Sequence, residues 1–85
     1  MYIAGVVVRT RPTSIEAVQQ RIAMLAGIEV HAASPDGRLV VTVEGSERGK
    51  VADMIYQLDR LEGVLSASMA YEHSDYDPKQ LEASP

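Results

Sequence analysis

The feature that most constrains the fold is an order of elements that occurs twice: a strand-like run, a helix-length stretch with one apolar face, a glycine, and a second strand-like run. In the first half, Tyr2 to Arg9 is β-branched and apolar without helical spacing and stops at Arg11-Pro12, which predicts strand one. Thr13 followed by Glu16 has the spacing of a capping box. Ile15, Val18, Ile22 and Leu25 then recur on one helical face until Gly27 supplies a left-handed stop. Ile28 to Ala32 alternates apolar with polar and predicts a half-buried strand two. In the second half, Arg38 to Glu44 predicts strand three, Ser46 is placed to cap a helix with Val51, Met54, Ile55, Leu58 and Leu61 as its buried stripe, Gly63 repeats the device of Gly27, and Val64 to about Glu72 predicts strand four. Ser34-Pro35-Asp36-Gly37 joins the halves as a hairpin turn.

Two strand-helix-strand halves with right-handed crossovers make an α+β domain of the split βαβ, or ferredoxin-like, kind: βαββαβ order, with a four-stranded antiparallel sheet and both helices on one face. The two-residue period of a strand then sorts the side chains. The helices require Ala4, Val6, Val8, Ile28, Val30, Leu39, Val41, Val43, Leu65, Ala67 and Met69 beneath them. Left on the bare face are Ile3, Gly5, Val7, Arg9, Glu29, His31, Ala33, Arg38, Val40, Thr42, Glu44, Ser66, Ser68 and Ala70. Residues 1–73 are read as this domain and 74–85, polar with Leu81 as its only large aliphatic residue, as a disordered tail.

Composition narrows the partner. Twelve acidic against eight basic residues leave a net charge of -4, which repels nucleic-acid phosphates and suits a basic or neutral ligand. The N-terminal apolar run lacks a basic segment before it and ends at Arg9, too short for a signal peptide or a membrane span, so no membrane insertion is expected and the cytoplasm is the expected compartment. Without cysteine there is no disulfide, thiolate metal site or thiol nucleophile, and the core must be held by apolar packing.

Chemistry is sparse. His31 and His73 have no metal-ligand spacing, the carboxylates are not forced together in pairs, and the glycines form no phosphate cradle, so neither cofactor nor metal is expected. Gly5 stands apart: a glycine inside a strand marks a bulge or a close approach by another backbone or a ligand. RNA-recognition modules of this fold carry exposed aromatics on the central strands, where Val7, Val40 and Thr42 stand here.

Four segments resemble the NapD family, the cytoplasmic chaperones of periplasmic nitrate reductase: Ala4-Gly5-Val6-Val7-Val8-Arg9, Gly27-Ile28-Glu29-Val30, the stretch from Asp36 to Glu44, and Leu61-Glu62-Gly63-Val64-Leu65 continuing to Tyr71. The resemblance covers about residues 2 to 73. It implies a chaperone, not an enzyme, that binds the twin-arginine (Tat) signal peptide of the nitrate reductase catalytic subunit and holds back export until the molybdenum cofactor is inserted. The expected binding residues are Gly5, Val7, Arg9, Glu29, His31, Val40, Thr42, Glu44, Ser68 and Ala70, with Val7, Val40 and Ala70 as apolar contacts and Glu29 and Glu44 as partners for arginines. The peptide could lie across the sheet as a helix or add as a strand, for which strand two is the natural edge. A monomer or weak dimer is expected. Two other readings stand beside this one: a small-molecule-sensing regulatory domain that dimerises through its sheet, and a catalytic protein using Arg9, His31 or Glu44.

Overall fold

The computed structural model of the chain describes residues 1–74. Its elements run β1 (Tyr2–Thr10), a 3-10 turn (Pro12–Ser14), α1 (Ile15–Ala23), β2 (Ile28–Ser34), β3 (Arg38–Gly45), α2 (Arg48–Asp59) and β4 (Val64–His73). The strands form one sheet in the order β2-β3-β1-β4, every neighbouring pair antiparallel. This is the ferredoxin-like α+β arrangement expected from the repeated element order. The expected tail lies outside the described residues except for Ser74.

One face of the sheet is closed by the helices. Across β1 and β3, Ala4 pairs with Val43, Val6 with Val41 and Val8 with Leu39, and all six are buried. Val18 and Ile22 of α1 and Val51 and Leu58 of α2 complete the same core, with Ile15, Leu25, Met54, Ile55 and Leu61 packed around it. Both helix stripes are therefore used as their spacing requires. Each helix is ended through a glycine in the left-handed region, Gly27 at φ 81° and Gly63 at φ 91°, where a side chain would be strained. Gly63 also fixes the β1 terminus, because the buried Thr10 hydroxyl donates to its carbonyl at 2.8 Å.

The helix starts differ from the sequence pattern. Thr13 falls inside the 3-10 turn opened by Pro12, so Ser14 becomes the N-cap of α1, and no side-chain cap bond forms. Glu47, not Ser46, is the N-cap of α2, again without a side-chain bond. Arg48 in the first turn of α2 instead pairs with Glu72 of β4 at 3.1 Å, tying the helix to an edge strand. β4, expected to end at about Glu72, runs on to His73, which stands opposite Ile3.

Candidate functional site

The bare face is a grid whose rows can be read from the strand register. In the order β4, β1, β3, β2, one row is Tyr71, Gly5, Thr42 and Glu29; the next is Ser68, Val7, Val40 and Ala32; and the next is Ser66, Arg9, Arg38 and Ser34. Beyond Gly5 in the other direction, Ile3 stands between His73 and Glu44. The chemistry changes along the strands: carboxylates at one end, apolar side chains in the middle, two arginines at the other end.

Two depressions follow this change. Glu29, Thr42 and Glu44, with Gly27 and Ile28, line one of about 250 Å³. Val7, Ala32, Val40, Ala33 and Ser34 line another of about 260 Å³, with Arg38 at its rim. Between them His31 bonds through Nε2 to the Thr42 hydroxyl at 2.7 Å, which holds the imidazole on this face. The carboxylates of Glu29 and Glu44 thus border a shared hollow, next to an apolar one. A ligand with a guanidinium group beside an aliphatic stretch matches both.

Of the ten expected site residues, Gly5, Val7, Arg9, Glu29, His31, Val40, Thr42, Glu44 and Ser68 stand on this face. The tenth, Ala70, is the extra residue of a bulge in β4: Val6 pairs with Met69 and Gly5 with Tyr71, leaving Ala70 without a cross-strand partner. Tyr71 occupies the grid position instead. Its ring lies over Gly5 so closely that a methyl group there would fall 2.5 Å from Cδ1 and from Cζ. The strand glycine is therefore a seat for an aromatic side chain of the protein itself, and a bulge does lie beside it. Tyr71 was missed because strict alternation puts it on the helix side, yet Gly5 was the signal for it.

Two further positions are corrected by bulges. His31 is the extra residue in β2, so Ala32 faces Val40 on the bare face, and Ala33, expected there, is carried round to stand opposite Leu39. Leu65 is skipped where Arg9 pairs with Ser66 and Thr10 with Val64; it is 62% exposed, and Val64 takes its place against the core. Both edges of the sheet are consequently interrupted, β2 once and β4 twice.

At the turn between β2 and β3, the Ser34 hydroxyl donates to the Asp36 carboxylate, and Arg38 Nε lies 3.2 Å from the same carboxylate. Together, the hydroxyl first, they hold the Asp36 carboxyl below its ordinary value. Among the described residues no three His, Asp or Glu side chains gather as metal ligands, and no helix is long and apolar enough to cross a membrane.

A family model described as NapD protein matches residues 1–76. Chaperone NapD of Paracoccus pantotrophus is 29% identical over 72 residues, which make up 85% of this chain and 63% of that protein, so the chain spans less than two thirds of that relative's length. The solution structure of the E. coli Tat proofreading chaperone protein NapD is similar with a TM-score of 0.78 at 25% identity, covering 91% of this chain and 82% of that one. Both relatives are chaperones by name, not enzymes.

Proposed function

Because the chain belongs to the NapD family, we propose that it is a chaperone whose bare sheet face binds the twin-arginine signal peptide of the periplasmic nitrate reductase catalytic subunit in the cytoplasm, delaying export until cofactor insertion is complete. One observation carries the reading. The carboxylates of Glu29 and Glu44 border one hollow, and the adjoining hollow is lined by Val7, Val40 and Ala32. A signal peptide has the complementary order, a basic segment followed by an apolar one. Arginine suits the first hollow better than lysine because its planar fork can engage carboxylates through two nitrogens at once.

The bulges favour the face over the edges as the place of binding. An added strand needs an uninterrupted row of backbone donors and acceptors, and an extra residue breaks that row and twists the strand. β2, the expected edge for addition, is broken at His31, and β4 at Leu65 and Ala70. The same interruptions weigh against a dimer that joins sheets edge to edge, and with it the regulatory-domain reading.

Titration calorimetry with a synthetic twin-arginine peptide tests the proposal. Saturable binding is expected, weakening as salt rises and weakening again when Lys-Lys replaces Arg-Arg. Absence of saturable heat at low salt would remove the reading.

A further inference from the structure

The charge order of the bare face has a direction, and signal-peptide capture as proposed above uses only one end of it. Arg9 and Arg38 stand directly opposite each other on the central strands. Like charges in that position are destabilising, so the pair is a local cost of the fold that an anion would relieve. Arg38 meets Asp36 through Nε, which leaves its two terminal nitrogens unused by that contact. Arg9 has no ion-pair partner among the described residues and is exposed. The apolar hollow runs up to this end, since Arg38 is on its rim.

We propose that the face holds its ligand in one direction, with the basic residues over Glu29 and Glu44 and an anionic group, carboxy-terminal to the apolar stretch, over Arg9 and Arg38. This inference rests on the signal-peptide reading and adds to it a second charged contact and an orientation. The face also sets a ruler. Ile3, in the row of Glu44, and Arg9 are six residues apart on one strand, a span of about 20 Å at roughly 3.4 Å per residue. A helical ligand covers that distance in about 13 residues, an extended one in about six. The spacing at which an acidic residue helps binding therefore reports the ligand's conformation.

The test uses the full chain and synthetic peptides that begin with Arg-Arg, continue with a leucine- and alanine-rich stretch, end in an amide, and carry a single Glu about 6 or about 13 residues after the second arginine. A nitroxide label is placed at either end and amide signals of the protein are followed by NMR. The amino-terminal label is expected to broaden Glu29 and Glu44, and the carboxy-terminal label Arg9 and Arg38. One of the two Glu positions is expected to tighten binding by roughly 3- to 10-fold, as one partly exposed charge contact can. In an Arg9→Gln/Arg38→Gln variant, whose fold loses two exposed, mutually repelling charges and the exposed Arg38–Asp36 pair, that gain disappears. Reversed or mixed broadening, or a gain that survives in the variant, overturns the direction while leaving signal-peptide binding intact. Peptides that do not bind the unmodified chain in any charge arrangement overturn the signal-peptide reading itself.

Discussion

Replacing Gly5 by alanine changes one hydrogen for a methyl group on the bare face, and the sign of its effect depends on a side chain 66 positions away in sequence, Tyr71. The added methyl would fall 2.5 Å from two ring carbons of Tyr71, well inside contact distance, so the ring must leave its seat. Tyr71 is 55% exposed, which leaves a little under half of its surface covered. A fully buried aromatic withdraws about 150–250 Å², so the covered part is roughly 70–110 Å² and is worth about 2 kcal/mol. Against this, alanine is favoured over glycine in a strand by about 0.5–1 kcal/mol. Gly5→Ala alone should therefore cost about 1–1.5 kcal/mol, a fall in Tm of roughly 5–10 °C for a domain of this size. In a Tyr71→Ala background the clash is gone and only the strand preference remains, so the same substitution should stabilise by about 0.5–1 kcal/mol. Urea unfolding followed by circular dichroism, run on both single variants and the double variant, gives the coupling directly, and about 2 kcal/mol is expected. If Gly5→Ala costs the same with and without the tyrosine, the ring does not rest on Gly5 and this account of the strand glycine is wrong.

Three other outcomes can be checked on the same protein. Leu39→Ala, at a fully buried position beneath the helices, should cost about 2–5 kcal/mol by chemical denaturation, whereas Val40→Ala on the bare face, 46% exposed, should cost well under that. Thr10→Val keeps the shape but removes the donor to the Gly63 carbonyl; thermal unfolding should show a loss of about 1 kcal/mol, because that carbonyl can reach water at an exposed turn. Asp36→Asn tests the turn between β2 and β3. The Asp36 carboxyl titrates below its ordinary value of 3.8 when folded, so its contribution is present above that value and is lost as pH falls through the lower, folded one. The asparagine variant should thus be less stable than the original at neutral pH and lose less on acidification below pH about 4. Equal slopes for both proteins in that range would show that Ser34 and Arg38 do not favour the charged form.

How far the site could be read in advance depended on which strand carried each residue, and the reason is physical. β1 and β3 pair with each other without a shift from Tyr2–Gly45 to Arg9–Arg38. Each is held by a strand on both sides, so an extra residue would break hydrogen bonds twice, and alternation holds throughout: Gly5, Val7, Arg9, Val40, Thr42 and Glu44 all face where the two-residue period puts them. The three inserted residues, His31, Leu65 and Ala70, are all on the edge strands β2 and β4. There one side of the strand is unpaired and a bulge breaks only one ladder. Each insertion reverses the faces that follow, which carries Ala33 and Tyr71 to the side opposite the two-residue period, while Leu65, itself inserted, drops out of the ladder and is exposed.

The helix caps failed for a related reason. Thr13 and Ser46 have suitable side chains, but Pro12 and the extended residue Glu47 set the backbone at each start, and neither α1 nor α2 draws a side-chain cap bond. Spacing alone does not reveal which residue the preceding turn will bring to the N-cap position. The glycines were better guides than the caps, since a positive φ admits few other residues, and Gly27 and Gly63 end both helices as read. These differences bear unequally on the site. The acidic and apolar hollows are built chiefly on β2 and β3, with Ile28 and Glu29 before the β2 bulge lining the first, Ala32 to Ser34 after it lining the second, and β1 contributing Val7. The insertion at His31 is what brings Ala32, rather than the imidazole, opposite Val40, and so makes the second hollow aliphatic. Deleting His31 would remove the extra residue, so that Val30 opposite Val41 is followed directly by Ala32 opposite Val40 in regular alternation. The deletion should therefore keep the β1–β3 pairing, the carboxylates and the aliphatic wall, and lose only the imidazole with its bond to Thr42. Titration calorimetry should then show twin-arginine peptide affinity and its salt dependence little changed; loss of saturable binding in a folded deletion variant would show that the imidazole or the bulge, and not the aliphatic wall, holds the peptide.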